Sequence, residues 1–306
     1  MTKEEIIERF KSKPYLIEMG AGKLSRWFGV SEGVIREAKD AARGKKSKIV
    51  DHQKVLFIDI ETAPMTAYVW GRWKQNIGLG QSISEWFCLS YAAKWANDDI
   101  MYSEVLTPEE ALNQDDSRIM KTLWLLLNKA DTVIAHNGLQ FDNKKINTRF
   151  LLHGFKPTRP FRVIDTLKVV KDGFSFSSNK LDHILKEFGL ERKLDTDFSL
   201  WRGCMNGDLE SLQYMRQYNE VDVYQLEKAF LRLKPWIKNF PNFTLFNSIA
   251  DGEYVCPTCG GKHIYQDGYY TTWTYKYKLF RCDDCGSISR LRKAEKTDVK
   301  LINNIR

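Results

Sequence analysis

The chain has 306 residues, 43% of them hydrophobic and 28% charged, and a net charge of +8. These fractions describe a globular protein with one sizeable core and room for small appendages. No apolar run approaches the length of a membrane helix, and the opening "MTKEEIIERFKSK" lacks the apolar centre of a secretion signal, which excludes a membrane partner and points to the cytoplasm.

The charge is unevenly placed. Residues 1–50 carry 12 Lys/Arg against 7 Asp/Glu and residues 252–306 carry 10 against 6, whereas 51–251 carry 25 against 26. Basic flanks around a neutral centre suit a protein whose ends grip phosphates, with solvated surface charge as the plain alternative.

Residues 1–44 read as a small helical domain. Leu24, Trp27 and Phe28 have the spacing of one helix face, Gly29 is a turn residue, Ser31 is a good N-cap, and Val34, Ile35 and Ala38 begin a second face. Helix, Gly-containing turn, helix is the helix-turn-helix pattern, and "KLSRWFGVSEGVIREAK" resembles such domains of the transposase and regulator type. Arg36 and Lys39, with Arg43, would face phosphate or bases, although Glu32, Glu37 and Asp40 share that helix. A protein-docking module is the alternative. Residues 45–54, polar and basic, read as a linker.

Residues 55–235 alternate strand and helix. Strands are predicted at 55–60, 87–95, 132–135 and 163–165, with a weaker one near 100–104; helices are predicted at 117–129, 142–153, 180–188 and 208–233. That order implies an α/β fold: a mixed sheet flanked by helices.

Three stretches of this segment carry unusual acids. In "VLFIDIETAP" the carboxylates of Asp59 and Glu61 fall two residues apart on one strand face, where they repel each other unless a divalent cation lies between them. "VIAHNGLQFDNKKINTRFLL" runs from a strand through a Gly-containing loop into a helix, with Asp142 near the positive end of the helix dipole. In "LQYMRQYNEVDVYQLEKAFLRL" Asp222 lies among Met215, Val221, Val223 and Leu226, with Tyr218 one turn earlier on the same face.

"FIDIET", "HNGLQFD" and "YNEVD" resemble the three motifs of the DEDD exonucleases, the DnaQ-like 3′–5′ exonuclease superfamily with its ribonuclease H-like fold. The D-x-E, N-x-x-F-D and Y-x-x-x-D patterns are met by Asp59, Glu61, Asn137, Phe141, Asp142, Tyr218 and Asp222, with "VIDTLK" and "NKLDHILKEFGL" between the second and third. "ETAPMTAYVWGRWKQNIGL" and "AAKW" resemble the phage and bacterial branch of these enzymes. Position 217, where a His form would place its histidine, is Gln, so the chain is similar to the Tyr subclass, DEDDy.

The resemblance implies two Mg²⁺ or Mn²⁺ ions about 4 Å apart acting on a phosphodiester. Asp59 would bridge them, Glu61 and Asp222 would hold the one that activates water, and Asp142 would hold the other, through water. Tyr218, too weak a base at a pKa of about 10, would orient the attacking water. Asn137 and Phe141 are the expected substrate contacts, with Asn137 alternatively capping the helix or loop. His136 is expected to be structural, and Asp165 and Thr166 to support the site.

Residues 236–251 read as a second linker and 252–306 as a zinc ribbon with a basic tail. Cys256-x2-Cys259 and Cys282-x2-Cys285 offer four thiolates to one Zn²⁺, which lowers the basic charge of this flank by two. Cys88 and Cys204 fall outside the pattern and are expected to be ordinary buried thiols. In "TYKYKLF" Tyr275 and Tyr277 alternate with Lys276 and Lys278, so a strand there would have an aromatic face and a basic one, suited to single-stranded nucleic acid. Core packing of a tiny domain is the alternative use of those rings.

The expectation is a metal-dependent 3′–5′ exonuclease on DNA with a 3′ end, releasing 5′-nucleotides, with any polymerase or replication partner acting in trans. A non-catalytic DNA-end-binding or regulatory protein, or an RNase on the same fold, is the alternative.

Overall fold

In the computed structural model, residues 2–12, 16, 19–42, 53–96, 98–191, 194–246 and 253–299 are described. The stretch expected as the first linker lies almost wholly outside them, as does Arg43.

The first helices are α1 (Lys3–Ser12), α2 (Ala21–Phe28) and α3 (Glu32–Ala42). They close on a core of Ile6, Phe10, Leu24, Phe28, Ile35 and Ala38. Gly29 turns the chain between α2 and α3 at φ 66°, a backbone that a side chain would strain, and the Ser31 hydroxyl accepts the Val34 N–H. Trp27 departs from the expected face: it is 60% exposed and lies flat on Phe28, because Leu24 and Phe28 alone fill the space against α3.

The main sheet begins with β1 (Val55–Thr62). The chain then makes an excursion through β2 (Thr66–Ala67) and β3 (Ser82–Ser84), leaving Trp70 and Trp73 exposed, before β4 (Cys88–Trp95) and β5 (Met101–Val105). Helices α4 (Pro108–Asn113) and α5 (Ser117–Leu127) precede β6 (Thr132–Ala135), and α6 (Asp142–Leu152) precedes β7 (Arg162–Asp165). Four helices complete this part: α7 (Thr166–Gly173), α8 (Leu181–Glu187), α9 (Phe198–Met205) and α10 (Leu209–Leu233).

The strand order is β5-β4-β1-β6-β7, with β1 antiparallel to β4 and parallel to β6. This is the mixed, helix-flanked α/β sheet that the alternation implied. Strand parity explains where the acids go. Leu56, Ile58 and Ile60 enter the core cluster that contains α5 and α6, whereas Val55 and Phe57 enter the one packed by α8 and α10. Asp59 and Glu61 share the parity of Val55 and Phe57, so they emerge on the α10 side. Helices α4, α7 and α9 are not in the predicted set; each is eight residues or fewer, too short for a 3.6-residue period to stand out.

A buried ion cluster fixes the end of β1. Asp116 accepts the Cys88 N–H at 2.7 Å, Arg149 Nε and Nη2 at 2.7 and 2.6 Å, and faces His153 Nε2 at 2.5 Å. The start of β4, the N-terminus of α5 and the body of α6 are thereby tied beside the register shift at Glu61/Thr62. Cys88 and Cys204 are both buried.

Beyond α10, residues expected to act as a linker are packed: Phe240 tilts against Phe243, and Phe243 is fully buried. Its N–H donates to the Pro257 carbonyl at 3.0 Å, which joins this segment to the first Cys-x-x-Cys turn. The last unit is an antiparallel sheet of β8 (Ile264–Thr271), β9 (Lys276–Cys282) and β10 (Ile288–Arg290). No helix among the described residues is long and apolar enough to cross a membrane.

Candidate functional site

Asp59 and Glu61 sit half-buried at the end of β1, and Asp222 is 2% exposed on α10. One carboxylate oxygen from each lies within 4.8 Å of the other two. Three hard anionic oxygens gathered that closely repel one another and fit the donor preference of Mg²⁺ or Mn²⁺. The residues therefore fit a divalent cation.

Asp142 is buried in the first turn of α6, where the helix dipole favours its charge, and lines a small crevice with Ile58, Ala135 and Gly138. It stands outside the group of three. Tyr218 is 9% exposed, one turn before Asp222, with its ring edge-on to Trp201 at 6.2 Å between centroids.

Sequence reasoning did not single out Asn219. It is fully buried, and its Nδ2 donates to Asp59 Oδ2 at 2.5 Å, while its Oδ1 accepts the Ser90 hydroxyl at 3.3 Å. The Asp59 carboxylate can only accept, so the amide N–H is the end that faces it, and the Ser90 hydroxyl, which can donate, serves the amide oxygen. One signal was available: Asn219 precedes Asp222 by three residues and so shares its helix face.

The loop between β6 and α6 is shaped by its backbone. Asn137 has φ 74°, a left-handed conformation that Asn tolerates, and its carbonyl accepts the Gln140 and Phe141 N–H groups. A Cβ on Gly138 would lie 2.5 Å from the Ala135 Cβ, so glycine alone fits there. Asp165 accepts the N–H groups of Asn137 at 2.9 Å and Leu139 at 3.1 Å, while His136 bridges Thr166 Oγ1 and the Asn179 carbonyl. Asp165, Thr166 and His136 thus hold the loop in place. Phe141 is 37% exposed beside it.

The four cysteines form the other cluster. Their sulfurs all lie within 4.8 Å of one another, and the Cys256–Cys285 and Cys259–Cys282 pairs are each 3.7 Å apart, with no disulfide. Sulfurs about 2.3 Å from a tetrahedral zinc are roughly 3.8 Å apart, so the spacing fits Zn²⁺. The thiols cannot all ionise unaided. Hydrogen bonds from Cys259 and Cys285 pull Cys256 down, the same contact drives Cys259 up, and burial pushes Cys282 up to about 11.

A second observation supports a metal there. Lys234, at the end of α10, is 3% exposed, and its Nζ has no hydrogen-bond partner among the described residues. Burial lowers its pKa, while the charges of all four cysteines raise it. An ammonium stranded in the interior is costly unless a net negative group lies near it, and four thiolates on one Zn²⁺ carry such a charge.

In the ribbon, the strands beside β9 add rings and cations to both of its faces. Tyr275 and Tyr277 are neighbours at 6.4 Å, and Arg290 lies 4.0 Å over Tyr277. Lys276 lies 3.8 Å over Tyr269, so the lysine side of β9 carries a ring as the tyrosine side carries the Arg290 cation. Cross-strand pairing of β8 with β9 brings Tyr269 opposite Lys278, within diagonal reach of Lys276. In the helical domain, Lys39 Nζ donates to the Met19 carbonyl, and the Arg36 side chain lies outside the described residues.

A family model of the RNase H superfamily matches residues 56–234. No curated protein sequence matches the chain. Among solved structures, the family B DNA polymerase from the hyperthermophilic archaeon Pyrobaculum calidifontis is similar at a TM-score of 0.42 and 12% identity, over 60% of this chain and 25% of that one. The chain thus spans about a quarter of the polymerase's length.

Proposed function

The chain belongs to the RNase H superfamily, and from that premise we propose that it is a metal-dependent 3′–5′ exonuclease of the DEDDy type, acting on DNA. The observation that carries the reading is the approach of Asp59, Glu61 and Asp222 oxygens to within 4.8 Å of one another. Asp59, Glu61 and Asp222, together with Asp142 from the first turn of α6, would hold two Mg²⁺ or Mn²⁺ ions. When bound, such ions lower the pKa of an attacking water and offset the charge on the leaving oxygen.

The chain's own groups position the reactants. Asn219 keeps one lone pair of Asp59 engaged and so fixes how that carboxylate presents the rest. Tyr218, held by Trp201, orients the attacking water with its hydroxyl. Phe141, partly exposed after the Asn137–Gly138 turn and next to Asp142, would meet the terminal nucleotide. The helix-turn-helix reading of α2 and α3 and the aromatic–cation pairs of the zinc ribbon are two further holds on the strand, which raise its local concentration. Those pairs also favour the second reading, a protein that only binds DNA ends, but that reading gives the gathered carboxylates nothing to do.

A time course on 5′-labelled single-stranded and recessed-end DNA, and on matched RNA, tests this. A ladder that shortens from the 3′ end with Mg²⁺ or Mn²⁺, stops with EDTA and is absent in Asp222→Ala is the expected result. Binding without cleavage under every metal would overturn the enzyme reading in favour of end recognition.

A further inference from the structure

Next to the acidic group lies a cation without a carboxylate. Lys145 is three residues after Asp142 on α6, and its Nζ donates to Thr62 Oγ1 at 3.3 Å, the residue that follows Glu61. Two rings take the rest of its surroundings: Nζ is 3.8 Å from the Trp86 ring centre and 5.0 Å from that of Phe141. Burial lowers its pKa.

The contrast with its neighbour is informative. Arg149 also lies over Trp86, at 5.9 Å, but its guanidinium is already committed to Asp116. Among the described residues Lys145, with three donors, has a single oxygen partner, a hydroxyl, and no carboxylate pairs with it. Ring faces favour the ammonium through their quadrupoles without using up its N–H groups. Such a group is set to accept an anion. An anion that belongs to a bound nucleic acid strand is held there by the rest of the strand as well, an advantage a small free anion lacks.

We propose that Thr62, Trp86, Phe141 and Lys145 form a phosphate subsite, in which Lys145 holds a phosphodiester of the strand and the two rings face its sugar and base. This rests on the nucleic-acid reading of the acidic site. Lys145 makes no bond to the reacting atoms and acts by holding the strand in register. The side chain is half-buried on a helix that is fixed elsewhere by Ile146 and Phe150, so neutral replacements leave the core intact.

The test uses the full chain carrying Asp222→Ala, so that a fluorescent single-stranded DNA is bound without being consumed. Lys145→Met, Lys145→Gln and Lys145→Arg are compared by anisotropy from 50 to 200 mM salt, with thermal unfolding as the folding control. The neutral variants should weaken binding about tenfold and lower the slope of log affinity against log salt by about 0.7, one phosphate contact on a single strand. Lys145→Arg should keep the slope. A folded neutral variant with the parent's affinity and slope overturns the subsite alone. A parent that binds but whose Asp222-intact form cleaves nothing sinks the exonuclease and leaves the subsite to be judged by the slope. A parent that binds no strand overturns both.

Discussion

Cys256, Cys259, Cys282 and Cys285 come from two tight turns of one small sheet, whereas Asp59 and Glu61 come from the first strand of the main sheet and Asp222 from its last long helix. Both clusters press like groups together, the sulfurs to 3.7 Å in two pairs and three carboxylates to within 4.8 Å. The thiol cluster is built from its own turns, with Lys234 and Phe243 of the preceding segment beside it, and four gathered thiolates repel one another without a cation. The carboxylate cluster is braced from outside by Asn219, by the Asp116 network and by the buried body of α10. Its geometry belongs to the fold. One cluster should need its metal in order to exist, the other only in order to work.

The largest expected effect tests that division. Stripping Zn²⁺ with a chelator, or replacing Cys259 by Ser, should unfold the ribbon, because structural zinc binding contributes about 10–16 kcal/mol of folding free energy in small zinc units. The main sheet should stay folded. EDTA at levels that remove only Mg²⁺ should abolish hydrolysis and leave both units intact. Protease mapping with zinc analysis reads both outcomes, and a main sheet that unfolds with the ribbon would erase the comparison.

The two clusters were also unequally legible. The thiol ligands are announced by spacing alone, since a Cys-x-x-Cys turn is local and its partner has the same form. Asp59 and Glu61 are announced by strand parity, but their partner on α10 emerges only when three separate motifs are set together. Asn219, Lys145 and Lys234 escape for a different reason. Each is an ordinary residue for its helix position, and its role depends on what another element brings to it: Asp59, the rings of Trp86 and Phe141, or the thiols. Periodicity places a side chain on a face but does not say what waits there.

Asn219→Ala sharpens the comparison from the carboxylate side. Losing the amide removes one buried donor from Asp59, next to Glu61 and Asp222. The Mg²⁺ concentration for half-maximal activity should rise about 10- to 100-fold, the usual cost of losing an outer-shell partner. Asn219→Asp should be worse than Ala, because it adds a further carboxylate to the group of three where a donor stood. If Asn219→Ala instead lowers the maximal rate with metal demand unchanged, Asn219 acts on something other than the orientation of Asp59.

The smallest effect concerns the point where the two regions meet. Lys234 closes α10, the helix that carries Tyr218 and Asp222, and feels the charge of all four thiols, while Phe243 ties the same segment to the Pro257 carbonyl. Lys234→Met keeps the length and removes the charge. Without zinc the ribbon is unfolded and no longer sets thiolate charge beside Lys234, whose Nζ has no hydrogen-bond partner among the described residues, so removing the ammonium should leave the metal-free protein no less stable. With four thiolates on Zn²⁺ the ammonium offsets net negative charge, so its loss should weaken zinc retention by roughly three- to tenfold, at the low end for outer-shell groups. Opposite signs in the two metal states separate charge compensation from simple packing, which would shift both the same way. A competition assay with a chromophoric chelator at 50 and 500 mM salt decides it. The effect of a buried charge persists at high salt, whereas that of a solvated one fades within a Debye length of a few ångströms to about 14 Å across that range.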